Sequence, residues 1–357
     1  MAFKLSFPLG LLVAIPMSLA ACGSAATAPA SAPAGTATAL ARASQAPSTS
    51  ASSAPAGLVK LTAAHSNPIA ETMQLYLAKE AGIFEKNGLD VDIRLIPGGS
   101  TAMAALVAGD TPFSHLGGSE ALSSAAGGAD IVVLAITSPT TSFVLEAAND
   151  LKTPADLKGK RFGISTIGST SDIALHVGLH KLGLDPDKDV SITAVGSTAN
   201  RLAALLSGQI QGAMELPLDA AKLEKSGFHS MIDLGDLKEP GTGQGVVAQR
   251  AYVNAHRDVT QKYVDSIVQA GALAKADRAL AIKAIQQYVK DDAANIGPAY
   301  DLYMRQTYTP TPLPRPELWN DAISVLGPKN EKLKSYDVNK LVDPSFVQSA
   351  IDRGLNK

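Results

Sequence analysis

The chain is poor in cysteine, in charge and in aromatic residues, and each shortage excludes something. Cys22 is the only cysteine in 357 residues, so no disulfide can form within the chain and no cysteine nucleophile exists in its body. Charged residues make up only 18%, and 31 basic side chains stand against 33 acidic ones. A polyanion-binding surface needs clustered Lys and Arg, so this balance excludes a nucleic-acid partner. Aromatics at 5% beside 46% hydrophobic residues leave a core built from Ala, Leu, Val and Ile. That supply is ample for about two domains without metal or disulfide staples. A long apolar run is also missing: the segment Leu5–Met17 is too short to cross a bilayer, which takes about 20 residues.

What is present begins with an export signal. Lys4 precedes the apolar stretch, which closes on Leu19-Ala20-Ala21-Cys22-Gly23-Ser24. This ending resembles the lipobox of bacterial lipoproteins, in which a cysteine after a small residue is acylated and becomes residue one. Residues 1–21 are thus expected to be cleaved, and lipidated Cys22 to hold the protein on the extracytoplasmic face of a bacterial cell membrane. Residues 22–57 follow as a tether. From Gly23 to Gly57 only Leu40, Arg42 and Gln45 interrupt a run of Ala, Ser, Thr, Pro and Gly, a composition expected to stay disordered. The body beyond it carries 29 basic and 33 acidic residues.

From Leu58 strand and helix patterns alternate. LVKLTAAH reads as a strand, then Ser66-Asn67-Pro68 opens a helix with Ile69, Met73, Tyr76 and Leu77 on one face. LDVDIRLI alternates as a strand; Gly98-Gly99-Ser100 turns into the helix TAMAALVAG, and FSHL leads through Gly117-Gly118-Ser119 into EALSSAA. IVVLAIT reads as a parallel strand covered on both faces. The pattern restarts with RFGIST, the turn before Ser169-Thr170, VSITAV, Gly196-Ser197-Thr198 and IQGAMEL with Pro217 behind it. After Gln249 only helical patterns remain: Val259–Ala274, Ala279–Val289, Pro298–Arg305 and a last one near Ser345–Arg353. Alternation of this kind implies an α/β fold with mostly parallel strands, whose ligands bind beyond the strands' carboxyl ends.

Several stretches resemble the solute-binding proteins of nitrate, sulfonate and taurine ABC importers, with which binders of the thiamine pyrimidine precursor share a pattern. They are LYLAKEAGIFEKNGLDVDI, PGGSTAMAALVAGDTPFSHLGGSEAL, DLKGKRFGIS and LLSGQIQGAMELP, within about Val59–Arg250. One departure is Gly212-Ala213, where the family usually has an acidic residue before Ala. The resemblance implies a type 2 periplasmic-binding-protein fold, with lobe 1 from residues 58–140 and 248–357 and lobe 2 from 141–247. Two strands would cross near Pro139–Leu145 and Gly243–Gln249, and a small solute would be trapped between the lobes. It further implies a monomer that delivers its solute to an ABC permease and ATPase. A lipoprotein that senses a ligand and signals to a membrane partner uses the same closure and stays open as an alternative.

The candidate ligand residues lie at the strand-to-helix turns: Ser66, Asn67, Gly99, Ser100, Gly118, Ser119, Ser169, Thr170 and Thr198, with Thr137 near the end of a strand. Each hydroxyl alone is accounted for as a helix cap. Convergence of several helix N-termini at one sheet edge makes a polar or anion site without Lys or Arg, which favours a sulfonate or carboxylate solute. Glu215 ends a strand and reads either as a solvated loop acid or as the partner of an amine or a heterocycle N–H. Glu120 reads as a favourable partner of its own helix dipole. His176 and His180 have a metal-capable spacing without a third ligand, so no metal and no cofactor is expected. His65 and His115 read as structural. Catalysis finds no support: Gly117-Gly118-Ser119-Glu120-Ala121 lacks the last glycine of a nucleophile elbow, and no HExxH or Walker loop occurs. The glycines Gly241, Gly243 and Gly245 lack the helix that follows a phosphate loop and read as a hinge.

Overall fold

In the computed structural model, which describes residues 57–357, the strand–helix alternation starts at Val59. The export signal, Cys22 and the tether lie outside the described residues. The strands are β1 (Val59–His65), β2 (Leu89–Leu95), β3 (Phe113–Leu116), β4 (Ile131–Thr140), β5 (Val144–Ala148), β6 (Arg161–Ile164), β7 (Ser191–Ala194), β8 (Gly212–Glu215), β9 (Phe228–Asp233) and β10 (Pro240–Gln249). The helices that follow or connect them are α1 (Met73–Glu80), α2 (Ile83–Lys86), α3 (Gly99–Ala108), α4 (Gly118–Ala126), α5 (Thr170–Lys181), α6 (Thr198–Leu206) and α7 (Pro217–Lys225). The chain then stays helical through α8 (Arg250–Ala255), α9 (Arg257–Ala276), α10 (Arg278–Tyr288), α11 (Ala293–Gln306), α12 (Asn320–Leu326), α13 (Glu331–Lys334) and α14 (Ser345–Asp352). None of these helices is long and apolar enough to cross a membrane.

The strands form two five-stranded sheets, ordered β2-β1-β3-β10-β4 and β7-β6-β8-β5-β9. Helix α9 packs on the first through Val259, Tyr263, Val264, Ile267 and Val268, against the buried face of α1. The second has its own core of Leu145, Phe162, Ile164, Leu175, Leu179 and Met214. Both sheets are mixed, not mostly parallel as the alternation implies. In the first, β1 is parallel to β2 and β3, while β10 runs antiparallel to β3 and β4; in the second, β6 is parallel to β7 and β8, while β5 runs antiparallel to β8 and β9. A parallel partner needs a crossover of a dozen or more residues. Only residues 141–143 separate β4 from β5, so the chain passes straight from one sheet into the other.

IVVLAIT accordingly lies in β4 at a sheet edge, with antiparallel β10 as its strand neighbour. Its free edge is filled by a distant segment: Val133 donates its N–H to the Leu341 carbonyl at 2.8 Å, and Asp343 donates to the Val133 carbonyl at 3.0 Å. The return crossing is at residues 234–239, earlier than the Gly243–Gln249 expected, because β10 pairs with β4 from Pro240 onward. A lobe boundary at 247/248 would cut this strand. Its glycines let two backbones close up: a side chain at Gly243 would meet the Thr140 carbonyl, and one at Gly245 the Ala135 carbonyl. Gly212 is explained in the same way, since any side chain there would run into the Phe162 ring and the Glu146 carbonyl.

Candidate functional site

The two sheets face one another across a cleft at the carboxyl ends of their parallel strands. The first sheet contributes Ser66-Asn67 after β1, Gly98-Gly99 after β2 and Gly117 after β3; the second contributes Ser165 after β6, Ser197-Thr198 after β7 and Leu216 after β8. Ser142 and Phe143 of the first crossing and Gly243 and Gln244 of β10 complete the wall. The cavity they line is about 50 Å³, a third of the roughly 150 Å³ of an apolar cavity that takes benzene.

Polar side chains tie the lobes together around it. Thr198 Oγ1 donates to Asn67 Oδ1 at 3.4 Å, Ser100 and Thr166 share a hydroxyl bond of 2.6 Å, and Ser123 Oγ donates to the Gly168 carbonyl at 3.2 Å. Thr170, at the start of α5, donates its N–H and its hydroxyl to the Glu120 carboxyl at 3.3 and 2.8 Å. The lobes approach so closely here that a side chain at Gly117 would collide with Thr170 Oγ1 of the facing lobe.

Charge in the cleft is unevenly matched. Arg201 on α6 lines the chamber while 2% exposed, and its guanidinium meets Glu215 at 3.3 and 3.4 Å. Glu215 is fully buried; burial pushes its carboxyl up to about 7 against the pull of Arg201. Glu71 and Glu120 also line the chamber, both nearly buried, and neither has a cation among the ion pairs of the described residues. Burial raises Glu71 above the usual carboxylate range, opposed by a 2.9 Å hydrogen bond from Ser142. Burial raises Glu120 as well, opposed by the bonds from Thr170. The chamber therefore presents one neutralised cation and two carboxyls with only hydroxyl and amide partners.

Of the residues singled out in the sequence, Ser66, Asn67, Gly99, Thr170 and Thr198 line the chamber. Ser100 lies beside it in the seam between lobes. Glu215 stands behind Arg201 and is neither solvated nor open to a ligand amine as placed. Ser169 is buried and caps α5, accepting the Asp172 N–H at 3.4 Å. Gly118 packs on Thr242, and its carbonyl accepts from Trp319 Nε1 at 2.7 Å. Ser119 is buried in the first turn of α4, and Thr137 on β4 donates to the Gln244 carbonyl at 3.3 Å. The expectation of a site without Lys or Arg is corrected by Arg201, the one basic residue on the walls of the chamber. Its signal in the sequence was a cation three residues into a helix that follows a glycine turn. Glu71, Ser142 and Gln244 were also missed, and Glu120 serves the facing lobe besides its own helix.

The histidines stay outside this chemistry. His115 donates or accepts at Tyr263 Oη, 2.8 Å away, and burial lowers its pKa to about 3. His65 is held between the Asn67 carbonyl and Tyr76 Oη. His176 is buried against Asp172 while His180 is exposed, so the two do not converge. No group of three metal-ligating side chains occurs among the described residues.

A family model described as NMT1/THI5 like matches residues 69–279, which hold nearly all of the chamber. The chain belongs to this family. YtlA of Bacillus subtilis, provisionally named a binding protein, is 25% identical over 285 residues, 77% of this chain and 84% of YtlA. The alkanesulfonate-binding protein SsuA from Xanthomonas axonopodis, solved with MOPS, aligns at a TM-score of 0.65 and 22% identity, covering 83% of this chain and 98% of SsuA. The periplasmic nitrate-binding protein NrtA from Synechocystis aligns at 0.70 and 13% identity, covering 83% and 89%. These likenesses establish for this NMT1/THI5-like chain the periplasmic-binding-protein fold expected from its sequence.

Proposed function

We propose that this chain is the extracytoplasmic solute-binding component of an ABC importer and not an enzyme, capturing a small organic solute between its lobes and delivering it to a permease. The observation that carries the reading is the polar chamber between the lobes, built from turns at the strand ends of both sheets and bridged by side-chain bonds that can part and re-form. Two lobes on two short crossings can rotate as bodies, and closure lets a permease tell loaded from empty protein. The names borne by YtlA, SsuA and NrtA support this assignment. In the same reading the protein is a monomer, acylated at Cys22.

The charge balance bears on the solute. Glu71 and Glu120 without a cation favour a solute that donates hydrogen bonds or carries positive charge, such as an amine or an aminopyrimidine. A second reading, a sulfonate or carboxylate, is favoured by Arg201 and by the helix N-termini at the walls; it requires both carboxyls to stay protonated, the form burial favours.

Titration calorimetry against amines, aminopyrimidines, carboxylates and sulfonates tests both, with small-angle scattering on whichever binds. The expected outcome is binding by one charge class and a smaller radius of gyration. Unchanged shape at saturation would refute the trap. For the anchor, Cys22→Ser is expected to move the protein from the membrane to the soluble extracytoplasmic fraction; firm membrane retention of the variant would refute acylation at Cys22.

A further inference from the structure

The polar chamber shares part of its wall with a larger space. A second cavity of about 460 Å³ adjoins it, and eight residues line both, Asn67, Glu71, Ser142, Thr198 and Leu216 among them. The border they share carries the Asn67–Thr198 and Glu71–Ser142 hydrogen bonds. Beyond it the walls change character. Leu95, Leu202, Leu218, Tyr288 and Leu302 line the larger space, drawn from both lobes and from the helices after Gln249. Leu95 is 47% exposed, a large apolar side chain left open beside a polar site. At the same cavity Lys222 of α7 meets Asp291, between α10 and α11, at 2.6 Å, so one ion pair joins the lobes there.

We propose that this cavity is a vestibule for the apolar body of the solute, whose polar head occupies the chamber. The proposal rests on the solute-binding reading above and deepens it, because a chamber of about 50 Å³ is too small for most organic solutes alone. A solute that outgrows it meets, on the vestibule side, the border that carries these two hydrogen bonds. The ligand class is therefore amphipathic: a compact polar group on an aliphatic or aromatic body. Burial of each added methylene stabilises a complex by about 0.8 kcal/mol, about fourfold in affinity.

Two homologous series with matched tails, n-alkylamines and n-alkanesulfonates from one to eight carbons, are titrated into the full chain by calorimetry. In the series whose head binds, affinity is expected to rise about fourfold per methylene and then level off when the vestibule is full. Leu302→Trp, which fills the vestibule away from the chamber, is expected to remove the dependence on chain length and to leave the shortest member's affinity unchanged. Short members that bind with no gain from longer tails would overturn the vestibule and leave the solute-binding reading intact. A chain-length gain that persists in both Leu302→Trp and Leu218→Trp would also overturn it. Absence of binding by every member of both series would overturn the amphipathic ligand class and leave the solute-binding reading to the aminopyrimidine and carboxylate titrations above.

Discussion

The lobes touch differently at the centre of their seam and at its rim. At the centre, around the chamber, the contacts are hydroxyl, amide and carboxyl bonds among largely enclosed residues, with no cation crossing the gap. At the rim they are ion pairs: Lys222 with Asp291, Lys329 with Asp187, and Arg305 with Asp236 at 3.2 Å, the last two with both partners about half exposed or more. Exposed pairs contribute about 0–1 kcal/mol each, and hydrogen bonds between uncharged groups about 0.5–1.5 kcal/mol. Neither set locks the lobes. A ligand that favours the closed form by about 5.5 kcal/mol suffices to move such an equilibrium from 1:99 to 99:1. A seam of many small contacts is what a trap needs if it must open again.

The sharpest break of this comparison removes the one buried charge pair behind the centre. Glu215→Ala leaves Arg201 enclosed without its counterion and is expected to cost about 3–5 kcal/mol by urea unfolding. Arg201→Met is expected to cost less, because Glu215, already pushed up to about 7, takes a proton when its partner goes. Equal losses in the two variants would contradict this account of the pair. The next effect isolates closure from folding. Gly117→Ala places a methyl against Thr170 Oγ1 of the facing lobe, a contact made only when the lobes are shut. Affinity is expected to fall about 5- to 150-fold, the 1–3 kcal/mol of an overpacked contact, with the melting temperature of unliganded protein nearly unchanged. The smallest effect belongs to the rim. Lys329→Ala is expected to change stability by less than about 1 kcal/mol, a difference that vanishes at 1 M salt, where screening acts within about 3 Å.

The sequence made the parallel strands and the turns behind them legible, because a strand run ending in Gly, Ser or Asn before a helical face is a local signal. Residues Ser66, Asn67, Gly99, Thr170 and Thr198 were found on that signal alone. Strand β9 was not read as a strand, and β5 and β10 were read only as crossing connections near Pro139–Leu145 and Gly243–Gln249. Phe228–Asp233 has few β-branched residues, and Pro240–Gln249 carries three glycines whose purpose, close approach to β4, appears only once β4 is beside it. The same limit applies to the site. Arg201 and Glu215 are 14 residues apart and their pairing depends on α6 lying over β8. Glu71 resembles any acid in a first helical turn until Ser142, 71 residues later, arrives at its carboxyl. Ser169 and Thr170 carry equal turn signals, and a single residue's rotation sends one into the cap and the other into the cleft.

The edge of β4 has a consequence for how the protein folds. Val133 and Ile136 find backbone partners in Leu341, Asp343 and Pro312, some 170 to 210 residues downstream. An uncovered edge strand with the run Ile-Val-Val-Leu-Ala-Ile is a template for pairing with another chain, and proteins protect such edges by covering them. Here the cover is among the last parts of the body to be synthesised. Until residues 341–343 dock, newly made copies share an adhesive strand, so aggregation during folding is set by the arrival of that segment and not by the stability of the finished fold.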